Sequence, residues 1–152
     1  MNLSMVLFAQ IVMAVVAGFA VAYQPGVNAK LAQAMPHPLH AAIVSFFCGF
    51  AILAIAGLLM RISPPQMQKL AGVPWWSWLG GALGAFFVLT AIVLVPQMGS
   101  TSYLACIIAG QLAGSVIIDH FGHMGLAEHP FTPGRAAGIL LLVAGAVCIK
   151  VF

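Results

Sequence analysis

Three polar side chains of one apolar segment have the spacing that places them on a single helical face. Gln111, Ser115 and Asp119 follow one another at four-residue intervals, within the apolar run from Thr101 to Phe121. Residues four apart lie on the same side of a helix. An amide, a hydroxyl and a carboxylate on one face are groups that bind a polar solute or exchange a proton. This stripe is therefore a candidate site for chemistry.

A second polar stripe occurs in the first apolar run, where Gln10, Gln24 and Asn28 lie close to one face. An amide in lipid has no hydrogen-bond partner, so these side chains must face protein or water. Two interpretations stay open, because such amides either join helices by hydrogen bonds or line a cavity. We favour a cavity for substrate or water, lined by these three residues with Gln111 and Ser115, because polar stripes occur on two helices.

Asp119 is an acid near the end of the apolar run from Thr101 to Phe121, and an ionisable group in a membrane is a functional candidate. We predict a coupling or gating role for it. Its place near the end of the run equally fits an interfacial charge. The C-terminus of a helix is electrostatically unfavourable for an anion, so we expect a nearby partner among His120, His123 and Arg135.

Other kinds of chemistry are not indicated. The acids and histidines between Asp119 and His129 have no recognised metal-ligand spacing. The three cysteines stand alone inside apolar runs, so we expect small buried thiols; they are Cys48, Cys106 and Cys148. The sequence shows no nucleophile–base pattern and no nucleotide-binding fingerprint. We therefore expect no enzyme, no metal and no cofactor.

The composition places these groups in a membrane. Of the 152 residues, 63% are hydrophobic and 5% are charged, whereas about a quarter of a soluble protein is charged. A membrane-spanning helix needs about 20 apolar residues, and five runs of that kind occur. We predict an all-α integral membrane protein, a single five-helix transmembrane domain over residues 1–152. Its helices are residues 3–34 with a break near 25, 39–60, 75–95, 101–121 and 133–151.

Glycine and proline suggest how these helices move and pack. Pro25 and Gly26 interrupt the first run, because proline removes a backbone donor and glycine adds freedom; with Gly18 they form the predicted hinge. Small residues four apart let membrane helices approach closely. We predict helix packing at such pairs on two helices, namely Gly80 with Gly84 and Gly110 with Gly114.

The basic residues give little orientation bias. With five spans, three basic residues fall on one face and two on the other; they are Arg61, Lys69 and Arg135 against Lys30 and Lys150. Lys and Arg near helix ends set the orientation of a membrane protein. Either the chain inserts one way with a weak bias, or it inserts both ways and pairs as an antiparallel homodimer. We favour the second, since many transporters consist of two inverted halves with a midplane site.

Four segments carry a resemblance to a known family. They are residues 24–31, 78–85, 109–112 with 119–122, and 135–138. On these segments the chain resembles the YdcZ-like branch of the drug/metabolite transporter superfamily. The resemblance implies a five-helix half-transporter of the bacterial inner membrane, found as dual-topology homodimers, oppositely oriented pairs or fused ten-helix proteins. It implies no settled substrate.

We therefore predict a carrier that moves an unidentified small molecule by alternating access, as an inverted-repeat antiparallel homodimer in the lipid bilayer. A dual-topology channel and a non-transporting accessory subunit are the alternatives. The chain is also similar in logic to the small multidrug resistance exporters, which have a glutamate in their first helix. No acid occurs in the first helix here, which argues against a simple proton/cation antiport.

Overall fold

The protein is all-helical throughout the part that the structure describes. The computed structural model covers the backbone of residues 3–151, and the side chains in that range apart from those of Leu3 and Lys150. Its α-helices are α1 (Leu3–Gln33), α2 (Pro38–Leu59), α3 (Met67–Ala71), α4 (Gly80–Met98), α5 (Ser100–Phe121) and α6 (Pro133–Val151). Two short 3-10 helices, Trp75–Leu79 and His123–Gly125, precede α4 and follow α5. The predicted helical fold class is confirmed.

Among the described residues, four helical segments are long and apolar enough to cross a membrane. They are Ser4–Gln33, Pro38–Leu59, Trp75–Met98 and Ser100–Phe121. The apolar stretch of α6 is shorter, Pro133–Ile149. The 19 residues of α6 have a length of about 28 Å, close to the ~30 Å of a hydrocarbon core. A fifth span through α6 stays a prediction.

Proline stands at the start of α2 and of α6, but the prolines inside α1 and α4 do not interrupt those helices. α1 continues through Pro25, so the predicted break near residue 25 is wrong as a gap in the helix. α4 likewise continues through Pro96 to Met98, beyond its predicted end at 95. Proline inside a helix removes one hydrogen bond, and in an apolar medium the remaining backbone bonds favour keeping the helix.

The chain forms two compact units, residues 1–96 and 97–152. In the first unit, α2 contributes Ala41 and Ala42 to a small core, and α4 contributes Val88 and Ile92. Leu31, Ala32, Met35, Phe87 and Leu89 pack against this core. In the second unit, α5 and α6 pack against each other.

Much of the apolar surface has no cover among the described residues. Every residue from 7 to 21 of α1 is exposed. The three cysteines are also exposed free thiols, so the expectation of buried thiols is wrong for the single chain. The reason is that lipid tails are as apolar as a protein core, so a side chain in an apolar run is equally favourable in either surrounding. Position in a membrane helix therefore does not imply burial in protein.

Candidate functional site

The polar stripe of α1 has a buried end and an exposed end. Asn28 is only 4% exposed, and its Nδ2 has no hydrogen-bond partner in the part of the chain that the structure describes. Pro25, three residues earlier, is less than 2% exposed. An unsatisfied buried amide donor costs about 1–3 kcal/mol. Burial of the Asn28 amide therefore costs free energy that no hydrogen bond to a described residue offsets.

Gln24 and Gln10, the other two members of this stripe, are exposed. Neither side chain makes a hydrogen bond to another described residue. By contrast, Gln33 at the end of the same helix accepts a hydrogen bond from Lys30 Nζ at 3.1 Å. The amides inside the apolar stretch of α1 are therefore unpaired, and the one beside the basic residue at its end is paired.

A groove between α1 and α2 contains one of these unpaired amides. It encloses about 370 Å³ and is lined by Gln24, Ser45, Phe46, Gly49, Phe50 and Leu53. The sequence interpretation found Gln24 but missed the groove residues of α2. The spacing of Ser45, Gly49 and Leu53, four residues apart, was the signal available, because it puts a hydroxyl and a glycine on one face.

The polar stripe of α5 is exposed in its central part. Gln111 lies within one residue of the middle of α5, is exposed, and forms no side-chain hydrogen bond to another described residue. Ser115 Oγ donates to the carbonyl oxygen of Leu112 at 3.0 Å. Ser115 therefore satisfies its donor within its own helix, whereas Gln111 does not. These residues belong to the second unit, and Gln24 and Asn28 belong to the first.

Asp119 has the cationic partner that its position predicts. Arg135 Nη1 donates to Asp119 Oδ2 at 3.2 Å, and the two side chains are 36% and 34% exposed respectively. The same Nη1 donates to the carbonyl oxygen of His129 at 3.1 Å. The pair joins the end of α5 to the start of α6 and offsets the poor electrostatics of a carboxylate at a helix C-terminus. A coupling or gating role for Asp119 stays a prediction.

The rest of the α5–α6 connection is also hydrogen-bonded to itself. His129 N–H donates to the carbonyl oxygen of Asp119 at 2.8 Å, and Phe131 N–H donates to His120 Nδ1 at 3.2 Å. Thr132 Oγ1 accepts from Arg135 N–H at 3.3 Å, a side-chain cap at the start of α6, where Pro133 is the first helical residue. These bonds satisfy backbone groups that helix ends leave free.

Gly122 lets the chain turn between α5 and this connection. It is the left-handed cap residue of α5, with φ of 56° and its N–H bonded to the Ile118 carbonyl. A Cβ there would lie 2.7 Å from Glu128 Cγ and 3.2 Å from the Leu126 carbonyl oxygen. Both the backbone conformation and the close approach require glycine.

The predicted packing glycines differ in their surroundings. A Cβ on Gly84 would lie 3.4 Å from Phe46 Cζ, so α4 contacts α2 there. At Gly80, Gly110 and Gly114 an added Cβ would meet nothing within 4 Å among the described residues. Helix packing at these three positions stays a prediction. The predicted hinge glycines, Gly18 and Gly26, have the same open surroundings.

Metal-ligating side chains do not gather in the described part of the chain. No group of three or more His, Cys, Asp or Glu residues there is placed to hold an ion. What the two regions offer is hydrogen-bonding chemistry: unpaired neutral amides and a hydroxyl inside apolar helices, and a paired polar cluster at the end of α5.

Comparison with known proteins gives a consistent result. Residues 9–148 match a protein family described as "Putative inner membrane exporter, YdcZ". The curated "Inner membrane protein YdcZ" of Escherichia coli (strain K12) is 33% identical over 79 residues, which is 52% of this chain and 52% of that protein. The match thus spans about half the length of this relative. No solved structure matches the chain.

Proposed function

Because this chain belongs to the YdcZ family, we propose that it carries a small molecule across the bacterial inner membrane by alternating access. It is a multi-pass protein of that membrane. The observation that carries the proposal is a set of polar side chains without partners inside apolar helices. An amide facing lipid is costly, and a substrate path is a place where that cost serves a purpose.

Gln111 is one of these polar side chains without a partner among the described residues. It lies at the middle of a 22-residue helix, which is the depth at which an unpaired polar group costs most. Its side chain is exposed and makes no hydrogen bond to another described residue. In the working protein this amide needs a partner, and water or substrate in a cavity provides one.

The working unit that we propose is an antiparallel homodimer. A second copy would cover the exposed face of α1 between residues 7 and 21, including Gln10. Inversion of one copy keeps midplane residues at the same depth, so Gln111 of each chain would reach a shared cavity. The count of three basic residues against two favours insertion in both orientations, with α6 as the fifth span.

The residue roles follow from this arrangement. Gln10, Gln24, Asn28, Gln111 and Ser115 would bind substrate or water. Gly18, Pro25 and Gly26 would let α1 bend between the two access states, because Pro25 leaves one backbone bond of the helix unmade. Gating by Asp119 would require its ion pair with Arg135 to open.

A transport assay tests the proposal. The purified protein in liposomes is screened with neutral, cationic and anionic solutes, and the transported solute is then used with Gln111→Leu. Leucine matches glutamine in size and suits an apolar surface, so assembly should persist while flux falls strongly, since a hydrogen-bonding site loses its match. Gln68→Leu, on exposed α3, is the matched control and should leave flux unchanged.

The two measured quantities separate the possible roles. If Gln111 only joins helices, its replacement should weaken the dimer by roughly 0.6–2 kcal/mol while the remaining dimers still transport. Normal flux with normal dimerisation would contradict both roles. Saturable flux with counterflow identifies a carrier, and unitary conductance would identify a channel instead. An accessory subunit would show neither.

Orientation is tested without any substrate. One cysteine is placed near one end of a chain whose three native cysteines are replaced, and it is labelled from each side of the membrane. We expect about half of the molecules to react from each side. Labelling from a single side would contradict the antiparallel homodimer while leaving the transport function open.

A further inference from the structure

The groove between α1 and α2 has features that define the chemistry of what it binds. It lies within the first unit, and its volume of about 370 Å³ is at the lower end of the range for small-molecule pockets, about 300–1,000 Å³. It is therefore large enough for a compact ligand of one ring and a short substituent.

One of its polar groups lies deep in the membrane region. Ser45 is between three and four residues from the middle of α2, which is roughly 5 Å along the helix axis. Gln24 lines the same groove from α1. Neither side chain forms a hydrogen bond with another described residue. An amide and a hydroxyl both donate and accept, so together they suit a ligand hydroxyl or amide.

A lipid chain does not fulfil this requirement. It fills apolar space but offers no donor or acceptor, so Gln24 and Ser45 would stay unsatisfied beside it. The occupant of the groove therefore needs a polar group of its own, or water that accompanies it, to satisfy these two side chains.

None of the described side chains that line the groove is charged. The charged residues of the chain stand at helix ends or in connections: Lys30, Arg61, Lys69, Asp119, Glu128, Arg135 and Lys150. The carboxylate of Asp119 is already held by Arg135. A charged ligand in the groove would lose its hydration and find no counter-ion there, which is unfavourable for either sign.

Two phenylalanines provide the apolar wall. Phe46 and Phe50 are four residues apart on α2 and both line the groove. The ring of Phe46 approaches α4, since a Cβ on Gly84 would be 3.4 Å from its Cζ. Phe46 is 42% exposed as a residue and Phe50 is 68% exposed. One ring is thus supported from behind and the other is open, and aromatic rings favour stacking or edge contacts with a ligand ring.

We propose that the α1–α2 groove is the binding site of the transported molecule, and that this molecule is uncharged, carries a ring and bears a hydroxyl or amide group. Gln24 and Ser45 hydrogen-bond that group, and Phe46 and Phe50 contact the ring. The inference rests on the proposed transport function, for which it names the substrate class.

The test uses three compounds with one ring and similar size but different charge. Tyrosol is neutral, tyramine is a cation and 4-hydroxyphenylacetate is an anion at pH 7. The native cysteines, all exposed, are replaced by alanine. Gly49→Cys then reports on the groove, because a Cβ at Gly49 meets nothing within 4 Å. Its reaction with a maleimide is followed in liposomes with and without each compound.

Gly57→Cys is the matched control, since it lies on the same helix, has equally open surroundings and does not line the groove. Tyrosol should slow the labelling of Gly49→Cys and leave that of Gly57→Cys unchanged. Tyramine and the anion should need at least about tenfold higher concentrations. Gln24→Leu and Ser45→Ala should each raise the required tyrosol concentration about fivefold, and Gln33→Leu should not.

Three results would overturn the inference. The first is absence of labelling at Gly49→Cys, which indicates a groove filled by lipid or a partner chain. The second is equal or better protection by a charged compound. The third is no protection by tyrosol. Binding is measured here without transport, so the two proposals fail separately. Protection without flux would remove the carrier function and keep the site. Flux that depends on Gln111 but not on Gln24 or Ser45 would keep the carrier function and remove the groove as the binding site.

Discussion

The polar groups of the α5–α6 connection and those of the α1–α2 region differ in one respect: the first are paired with one another and the second are not. At the end of α5, Asp119 is bonded to Arg135 and His120 to the Phe131 N–H. On α1 and α2, Gln24 and Ser45 have no partner among the described residues, and Asn28 Nδ2 is buried and unsatisfied.

This difference suggests different roles. A polar group satisfied by the chain stabilises the fold, because its hydrogen bonds replace those with water. A polar group that the chain leaves unsatisfied in an apolar region lowers stability, and functional sites are where such a cost is retained. The paired cluster therefore holds α5 to α6, and the unpaired groups are available to a ligand.

The largest expected effect is on transport. Replacing both groove hydrogen-bonding groups, in Gln24→Leu with Ser45→Ala, removes two bonds of about 1 kcal/mol each, so flux should fall about 30-fold. The free energy of unfolding in mixed detergent micelles should not fall, since neither side chain is hydrogen-bonded to another described residue.

The control for this prediction is Gln33→Leu, the paired glutamine of the same helix. It should keep normal flux, because its partner is Lys30 and it does not line the groove. A double variant with normal flux, or an equal loss in the control, would remove the distinction between the two regions.

Next in size is the turn that follows α5. Gly122→Ala places a side chain at a φ of 56° and against Glu128 and Leu126, so the free energy of unfolding should fall by about 2 kcal/mol. Gly138→Ala in α6, where an added Cβ meets nothing within 4 Å, should not lower it. Equal stability of the two variants would show that the connection does not hold these helices.

The ion pair should contribute less, because both partners are about one-third exposed. Arg135→Leu should reduce the free energy of unfolding by about 1 kcal/mol, and the loss should shrink in 1 M salt, where charges are screened within about 3 Å. Lys69→Leu, an exposed basic residue of α3, is the control. A loss that salt does not change would indicate that the packing of the Arg135 stem matters instead.

Several features were predictable from the sequence because local rules determine them. Proline at the start of α2 and α6, the Thr132 cap and the need of Asp119 for a cation all depend on neighbouring residues or on the helix end. That Gln24 and Asn28 share one helix face, and Gln111 and Ser115 another, follows from helix geometry alone. These predictions needed no knowledge of which helices are neighbours.

Other features were not predictable because they depend on which helix faces meet. Ser45 is one hydroxyl in an apolar run, and only the placement of α2 beside α1 puts it opposite Gln24. Lipid and protein interiors are equally apolar, so the polarity pattern did not show that Cys48 is exposed or that Ala41 is buried. The helix through Pro25 likewise persists because the apolar surroundings favour its remaining bonds.

The most direct test of the account is Asn28→Leu, with stability and transport measured on the same preparation. Leucine occupies a similar volume and removes a buried donor that has no partner in the described structure. We expect changes of opposite sign: unfolding becomes about 1 kcal/mol more costly, and flux of the transported solute falls. Lower stability with unchanged flux would contradict it, because Asn28 would then be a structural residue like those at the end of α5.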